Sequence, residues 1–405
     1  MLLLKERTGR PLSNPEWALP VPAATRGTAA WQEPPGRVVT ISTELEHPSP
    51  IHFGHGIAES FLPALADHSF DKLFFCAEEH VFRLHAQRLY DEARACFPCQ
   101  LDFIAPGEQS KSFSVLQDLC EALVAGNISK RSIVIAVGGG VVGNTVGLAA
   151  GLIYRGVRYV EIPTTMTGQT DSTLSNKQAI NGRKGKNHFG LYHSPLFIWS
   201  DTAYLRTEPA VSKRCGIVEG IKNGFIADES FLDYLEEALN PALAFSDHQL
   251  TDLAYRIIQS KLNILRRDPS EKRESIILEY GHTFGHALEW LGKGKRSHGA
   301  AVAVGMKLAA RLAQELGLIS SSLVKRHEHL IEDKLGMMTC IPEIITADAL
   351  LDAMIHDNKK TSKDIRFVLL EGPGRCHNPE GDFLVTVAPE LVRRVIADFF
   401  REQSR

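Results

Sequence analysis

RSIVIAVGGGVVGNTVGLAAGLIYRG, from Arg131 to Gly156, is the stretch that decides the fold. Ile133 to Val137 is an unbroken apolar, mostly β-branched run, which suits a strand covered on both faces. It feeds Gly138, Gly139 and Gly140, and a helix of small residues follows. Gly138, Gly140 and Gly143 satisfy G-x-G-x-x-G. Glycines in that setting let backbone N–H groups approach a pyrophosphate, and the helix N-terminus favours its charge. The same glycines also serve plain packing of helix on strand, and the spacing alone leaves both readings open. The acid expected about 20 residues on, closing the next strand, is missing. Glu161 lies inside that strand, RYVEIPTT (Arg158 to Thr165), so Glu78, at the end of an earlier strand, is the candidate to hold a ribose.

Working outward, RVVTIST (Arg37 to Thr43) and KLFFCAEEH (Lys72 to His80) read as strands, and QLDFIAPGEQSKS as strand, turn and helix start. Strands alternating with helices predict a mainly parallel sheet. From about Ser212 the periodicity turns helical, in ESFLDYLEEAL, HQLTDLAYRIIQSKLNILRRD and HGAAVAVGMKLAARLAQELG, until IRFVLLEGPG reads as a hairpin or edge strand. The predicted architecture is α/β plus α: a Pro-rich, peripheral arm over 1–36, a Rossmann-like nucleotide-binding domain over 37–211, and a helical domain over 212–405. A cleft between the two domains is the expected ligand site.

EYGHTFGHALEW (Glu279 to Trp290) carries His282 and His286 four apart, on one helical face, and His298 follows in SHG. Glu219 and Lys222 stand one turn apart in CGIVEGIKNG. Two or three imidazoles, a carboxylate and a lysine could line a metal pocket. Between Pro163 and Pro195 runs a long polar stretch bearing Asp171, Lys177, Lys186 and Asn187, which reads as a loop, either solvated or functional.

The 405 residues favour two domains, since single cores stop growing near ~250–300 residues. A net charge of −3 gives no general reason to expect nucleic acid or an anionic membrane as partner. Seven cysteines make no disulfide framework, and Cys96 and Cys99 form a lone C-x-x-C without a second pair. No apolar run reaches the ~18 residues of a membrane span, and Met1 to Leu4 is too short for a signal sequence; the expected compartment is the cytoplasm.

GGGVVGN, PTT, DSTLSNKQAIN, GKN, EGIKNG, EYGHTFGHALE, SHG and HDNK, in that order, resemble the dehydroquinate synthase-like family, the sugar phosphate cyclases, over roughly Lys72 to Leu370. The resemblance implies NAD and one divalent metal, Zn or Co, in the cleft, with Glu219, His282 and His298 as metal ligands and His286 on the substrate side. It implies cofactor contacts from Glu108, Lys111, Thr164, Thr165, Asp171, Lys177 and Lys186, beside Gly138 to Gly140 and Asn144. Lys177, Asn187, Lys222, Lys261, Glu279, His286 and Lys359 fall at substrate positions. Arg155 matches an arginine supplied to the neighbouring subunit's phosphate site, so a homodimer is implied. Acid–base work is assigned to Glu279, His286, Lys222, Asp171 and Lys177.

The implied chemistry is transient oxidation by NAD, β-elimination of phosphate, return of the hydride, ring opening and closure to a carbocycle. Where dehydroquinate synthase carries an arginine for the substrate carboxylate, this chain has Ser275, which disfavours a carboxylated substrate. Asn144 and Glu279 look like the 2-deoxy-scyllo-inosose synthase branch, which cyclises glucose 6-phosphate for aminoglycosides. Sedoheptulose 7-phosphate cyclases, dehydroquinate synthase, a metal-dependent polyol dehydrogenase and a non-catalytic sugar phosphate binder are the alternatives.

Overall fold

A computed structural model of the chain describes residues 30–31, 38–41, 49–183, 185–268, 271, 273–293, 295–341, 345–357 and 365–403. In its first half the strands are β1 (Val39–Ile41), β2 (Ile51–Gly54), β3 (Leu73–Ala77), β4 (Cys99–Phe103), β5 (Ile133–Gly138), β6 (Arg158–Pro163), β7 (Lys177–Gly182), β8 (Gly185–Tyr192) and β9 (Ile198–Asp201). The main sheet has the order β1-β2-β9-β6-β5-β3-β4. Only β1 pairs antiparallel, against β2; the other neighbours are parallel, as the buried apolar runs of β3 and β5 require.

From β3 the chain moves outward to β4, then returns to place β5 on the other side of β3. The carboxyl ends of β3 and β5 therefore flank a topological switch point, the usual ligand crevice of such sheets. Ala77 pairs with Val137, so Glu78 and Gly138 leave the sheet side by side.

Helices α1 (Phe61–Ala66), α2 (Glu79–Val81), α3 (Gln87–Cys96), α4 (Phe113–Ala125), α5 (Gly140–Leu152) and α6 (Met166–Thr170) accompany the sheet. The later chain forms α7 (Ala210–Ala227), α8 (Glu229–Ala238), α9 (Asp247–Arg267), α10 (His282–Leu291), α11 (His298–Glu315), α12 (Ser321–Glu328), α13 (Ala347–Asp357) and α14 (Pro389–Gln403). IRFVLLEGPG contributes the short strands Arg366–Phe367 and Leu370–Gly372. Every residue of α7 from Cys215 to Ile226 is buried, which makes it the central helix of this half. One apolar cluster joins these helices to Ile51, Phe53, Met166 and Ile198 of the sheet half, so the two halves share a core.

Two expectations need correction, and the lone C-x-x-C proves to be plain thiols. The polar stretch after Pro163 is not a loop, because β7 and β8 pair antiparallel as a hairpin. Its seat is a glycine stripe on α5: a Cβ on Gly147 would stand 2.6 Å from Gln178 Cδ, and one on Gly151 2.7 Å from Leu191 Cδ1. The N-terminal arm is not peripheral throughout. Trp31 is buried, with its ring 5.0 Å from that of Phe53 and 5.2 Å from that of Tyr255; residues 1–29 and 32–36 lie outside the described residues. Cys96 and Cys99 are free thiols at the end of α3 and the start of β4, and burial pushes Cys99 up to about 11, the opposite of an activated redox cysteine.

Candidate active site

The glycine turn and the PTT segment lie together. Thr164 N donates to Gly138 O (2.9 Å), and Thr165 Oγ1 caps α6 by accepting from Gly168 N (3.0 Å). A Cβ on Gly139 would meet Thr165 Cγ2 at 3.1 Å, and one on Gly143 would lie 1.9 Å from Glu161 Oε1. The third glycine thus admits a buried carboxyl that burial raises to about 7. The close-packing reading of the glycine pattern holds at Gly143, while Gly139 and Gly140 at the start of α5 are only partly buried. Glu78 stands half-buried at the crevice, its carboxyl raised by burial. Asn144 ties α5 to the hairpin, its Nδ2 donating to Gly140 O (2.9 Å) and its Oδ1 accepting from Ala179 N (3.2 Å).

Across the cleft, Glu279 ends a short 3-10 turn rather than opening a helix. Gly281, at φ 77, makes the left-handed step into α10, and His282 is that helix's first residue. His282 Nδ1 lies 3.1 Å from Tyr280 O, an acceptor only, so the ring donates there and leaves Nε2 free as a ligand atom. Glu219, His282 and His298 present ligand atoms all within 4.8 Å of one another. His286 is the neighbouring ring, 5.3 Å from that of His282 and 6.2 Å from that of His298, and lies outside this ligand set.

Glu219 provides the test of fit. Both its oxygens are buried without a directed hydrogen bond, although Lys222 Nζ lies 2.6 Å from Oε2 and His298 Nε2 3.4 Å from Oε1 as ion pairs. A buried carboxylate left in that state suits a divalent cation, and one carboxylate with two imidazoles is a zinc-type donor set.

The electrostatics bind the cluster into one unit. Burial alone would lower Lys222, but Glu219, Asp171 and Glu279 raise it, so it stays an ammonium. Burial would raise Glu279, yet His282, His286, Lys222 and Lys177 hold it below the usual carboxylate range. Its side chain is exposed to solvent. Burial and Lys222 push His282 down to about 4. His298 is lifted to about 10 against burial by Glu219 and Glu289.

The remaining candidates fall into two groups. Asp171 Oδ1 accepts from Lys261 Nζ at 2.7 Å, and Lys177 pairs with Glu271. On the hairpin side, Lys111 Nζ donates to Asn187 Oδ1 (2.5 Å), and Lys186 Nζ lies 3.2 Å from Glu108 Oε1 and pairs with Glu289. Arg155 lies apart. It is exposed, in a left-handed conformation (φ 65), with no ion pair among the described residues. Lys359 lies outside the described residues.

Sequence reasoning missed Glu271 and Glu289. Only Glu289 left a signal: His282, His286 and Glu289 stand at i, i+4 and i+7 on α10, one helical face. Ser275, where a guanidinium would receive a carboxylate, is buried, and its Oγ donates to Asp268 Oδ2 (2.8 Å).

Two family models match the chain. The family model for the 3-dehydroquinate synthase N-terminal region matches residues 102–214, and that for its C-terminal region matches residues 216–360. A 2-deoxy-scyllo-inosose synthase of Streptomyces kanamyceticus is 35% identical over 86% of this chain and 90% of its own length. A crystal structure of 2-deoxy-scyllo-inosose synthase complexed with carbaglucose-6-phosphate, NAD+ and Co2+ superposes with a TM-score of 0.82 at 31% identity, covering 89% of this chain and 99% of that one. A 2-epi-5-epi-valiolone synthase from Streptomyces hygroscopicus with NAD+ and Zn2+ bound shares the fold at 24% identity and a TM-score of 0.77, over 88% of this chain and 98% of its own. With a glycine turn after β5, a Glu219, His282 and His298 cluster, two matching family models and relatives aligned over most of its length, the chain belongs to the dehydroquinate synthase-like family of sugar phosphate cyclases, enzymes of the lyase class.

Proposed function

We propose that the protein is an NAD- and divalent-metal-dependent cyclase that converts glucose 6-phosphate to 2-deoxy-scyllo-inosose with loss of phosphate. The observation that carries the reading is the juxtaposition in one cleft of the Glu219, His282 and His298 set with Lys222, His286 and Glu279. The related protein solved with carbaglucose-6-phosphate, NAD+ and Co2+ supports the same reading. The choice of sugar rests on Ser275. Its hydroxyl is engaged by Asp268, and Glu271 and Glu279 flank Lys177, so a substrate carboxylate would meet acids. A neutral hydroxyl would instead donate to Glu279. By the resemblance, the product would feed 2-deoxystreptamine aminoglycosides.

When bound, the metal supplies Lewis-acid polarisation of a substrate oxygen, and NAD a reversible hydride acceptor. Glu219, His282 and His298 would hold the metal, with the ion being Zn or Co. The backbone N–H groups at Gly138 to Gly140 would face the pyrophosphate, with Thr164, Thr165 and Asn144 beside them and Glu78 on a ribose. Glu108, Lys111 and Lys186 complete the cofactor side. Lys222, kept charged by three carboxylates, would stabilise an oxyanion next to the metal position. Glu279 and His286 would exchange protons with the sugar, and Asp171, held by Lys261, and Lys177 would do so near the nicotinamide. Asn187, Lys177 and Lys359 would take the phosphate, with Arg155 of a partner subunit reaching it in a homodimer.

The test is phosphate release from glucose 6-phosphate by the full chain with NAD+ and Zn2+ or Co2+. Phosphate should appear with almost no net NADH. No release with cofactor and metal shown to be bound overturns the proposal, whereas accumulating NADH marks a polyol dehydrogenase. Parallel incubations with sedoheptulose 7-phosphate and the heptulosonate phosphate identify a sister cyclase.

A further inference from the structure

Glu289 is buried at the far end of the α10 face that carries His282 and His286, and its two oxygens reach two different elements, α11 and β8. Oε2 lies 3.3 Å from His298 Nδ1. Oε1 accepts from Lys186 Nζ, 103 residues away in sequence, on β8 of the hairpin. Lys186 also reaches Glu108 Oε1 at 3.2 Å, and the same carboxylate oxygen accepts from Asn181 Nδ2 at 2.8 Å. Asn181 Oδ1 in turn accepts from Asn187 N at 3.0 Å, and Asn187 Oδ1 from Lys111 Nζ at 2.5 Å. One buried carboxylate therefore joins the imidazole of the metal set to a polar network that fixes the closed end of the β7–β8 hairpin.

We infer that Glu289 is a positioning residue that couples metal binding at His298 to the seating of the hairpin on the cleft. The inference rests on the reading of Glu219, His282 and His298 as the metal ligands. An imidazole that donates Nδ1–H to a carboxylate is held in one tautomer and one orientation, with the Nε2 lone pair turned to the metal position; such outer partners contribute about 10–100-fold in metal affinity. Here that outer partner is itself anchored to another element. Seating the hairpin pulls Glu289 through Lys186, and Glu289 aims His298. Linkage makes the effect mutual: metal at His298 stabilises the bonded position of Glu289 and hence of the hairpin. The hairpin carries Lys177 and Asn187, so phosphate-side groups come into place in the metal-loaded protein.

The experiment uses the full chain stripped of metal. Zn2+ affinity is read by chelator competition, and hairpin protection by hydrogen exchange over residues 177–192 with and without Zn2+. For Glu289→Gln the expected results are affinity about 10-fold weaker or more, and loss of the Zn2+-dependent hairpin protection. Lys186→Met, which leaves α10 untouched, should also lower Zn2+ affinity, and the effects of the two changes should be non-additive. Unchanged affinity and unchanged protection in Glu289→Gln overturn the coupling. Should that variant fail to fold, an unchanged Zn2+ affinity in Lys186→Met overturns it instead. His298→Ala separates the two levels, because wild-type Zn2+ affinity in that variant sinks the metal assignment itself.

Discussion

Gly299 follows His298 in the first turn of α11, against the backbone of α7, and a single methyl there tests the whole geometry. A Cβ at position 299 would stand 2.4 Å from Cys215 Cα, 2.6 Å from its Cβ and 2.9 Å from its carbonyl oxygen. Two of these atoms are backbone of a helix buried along most of its length, so they cannot swing aside. Restoring ordinary carbon–carbon contact near 3.5 Å requires the first turn of α11 to retreat by about 1 Å. Overpacking of this kind costs about 1–3 kcal/mol. The functional loss should be larger in proportion. His298 Nε2 lies 3.4 Å from Glu219 Oε1, across the position of the proposed metal, and ligand distances tolerate only about 0.2 Å. Gly299→Ala should therefore lower the melting temperature modestly in chelator, weaken Zn2+ binding sharply, and reduce phosphate release on the order of 100-fold. Melting in chelator isolates packing from metal. A variant that melts lower without metal yet binds Zn2+ as the wild type does would refute the claim that α7 and α11 set the ligand spacing.

Two further outcomes follow from buried groups. Burial raises Glu161 to about 7, so the native state keeps a proton that the unfolded chain loses near 4.5. Stability is full below about pH 4.5 and falls as pH rises through 7, by about 3 kcal/mol at completion. Glu161→Gln should match the wild type near pH 4.5 and exceed it at pH 8 in denaturant titrations; parallel stability curves would contradict this. Trp31→Ala removes a buried indole from Phe53 and Tyr255 and should cost about 3–5 kcal/mol in urea unfolding, where an idle arm would cost almost nothing.

What was legible in the sequence is what local chain geometry encodes. Strand, glycine turn and helix adjoin from Ile133 to Leu152, and His282 and His286 share a face because a helix repeats every 3.6 residues. Pairings across the fold left no such mark. Lys177 meets Glu271 from 94 positions away, and Lys261 meets Asp171 from 90. The hairpin escaped for another reason. Its outer strand is mostly exposed and its inner strand packs on glycines of α5, so neither shows the apolar alternation of a half-buried sheet. The arm was misjudged at Trp31 because proline content describes a segment's average and says nothing of one buried ring.

The charges around Lys222 support the proposed preference for a sugar without a carboxylate. Around Lys222 stand the carboxylates of Asp171, Glu219 and Glu279, and Lys261 is bonded to Asp171, which makes three negative groups against two positive. A dication at Glu219, His282 and His298 would turn that deficit into a positive excess, which favours an anionic group on the substrate. In the proposed reaction the substrate phosphate would use it. A substrate bearing a carboxylate as well would need another cation, and the position that could hold one is Ser275, locked to Asp268. Asp268 Oδ2 also accepts from the backbone N–H groups of Arg273 (2.7 Å) and Ser275 (3.0 Å), so this carboxylate oxygen is already committed to three donors. An arginine there would forfeit the hydroxyl donor and set its guanidinium beside the Asp268 carboxylate, which would pair with it before any ligand did. Acceptance of a carboxylate would therefore take a rebuilt loop, not one substitution, which is why the proposed substrate is a neutral sugar carrying a single phosphate.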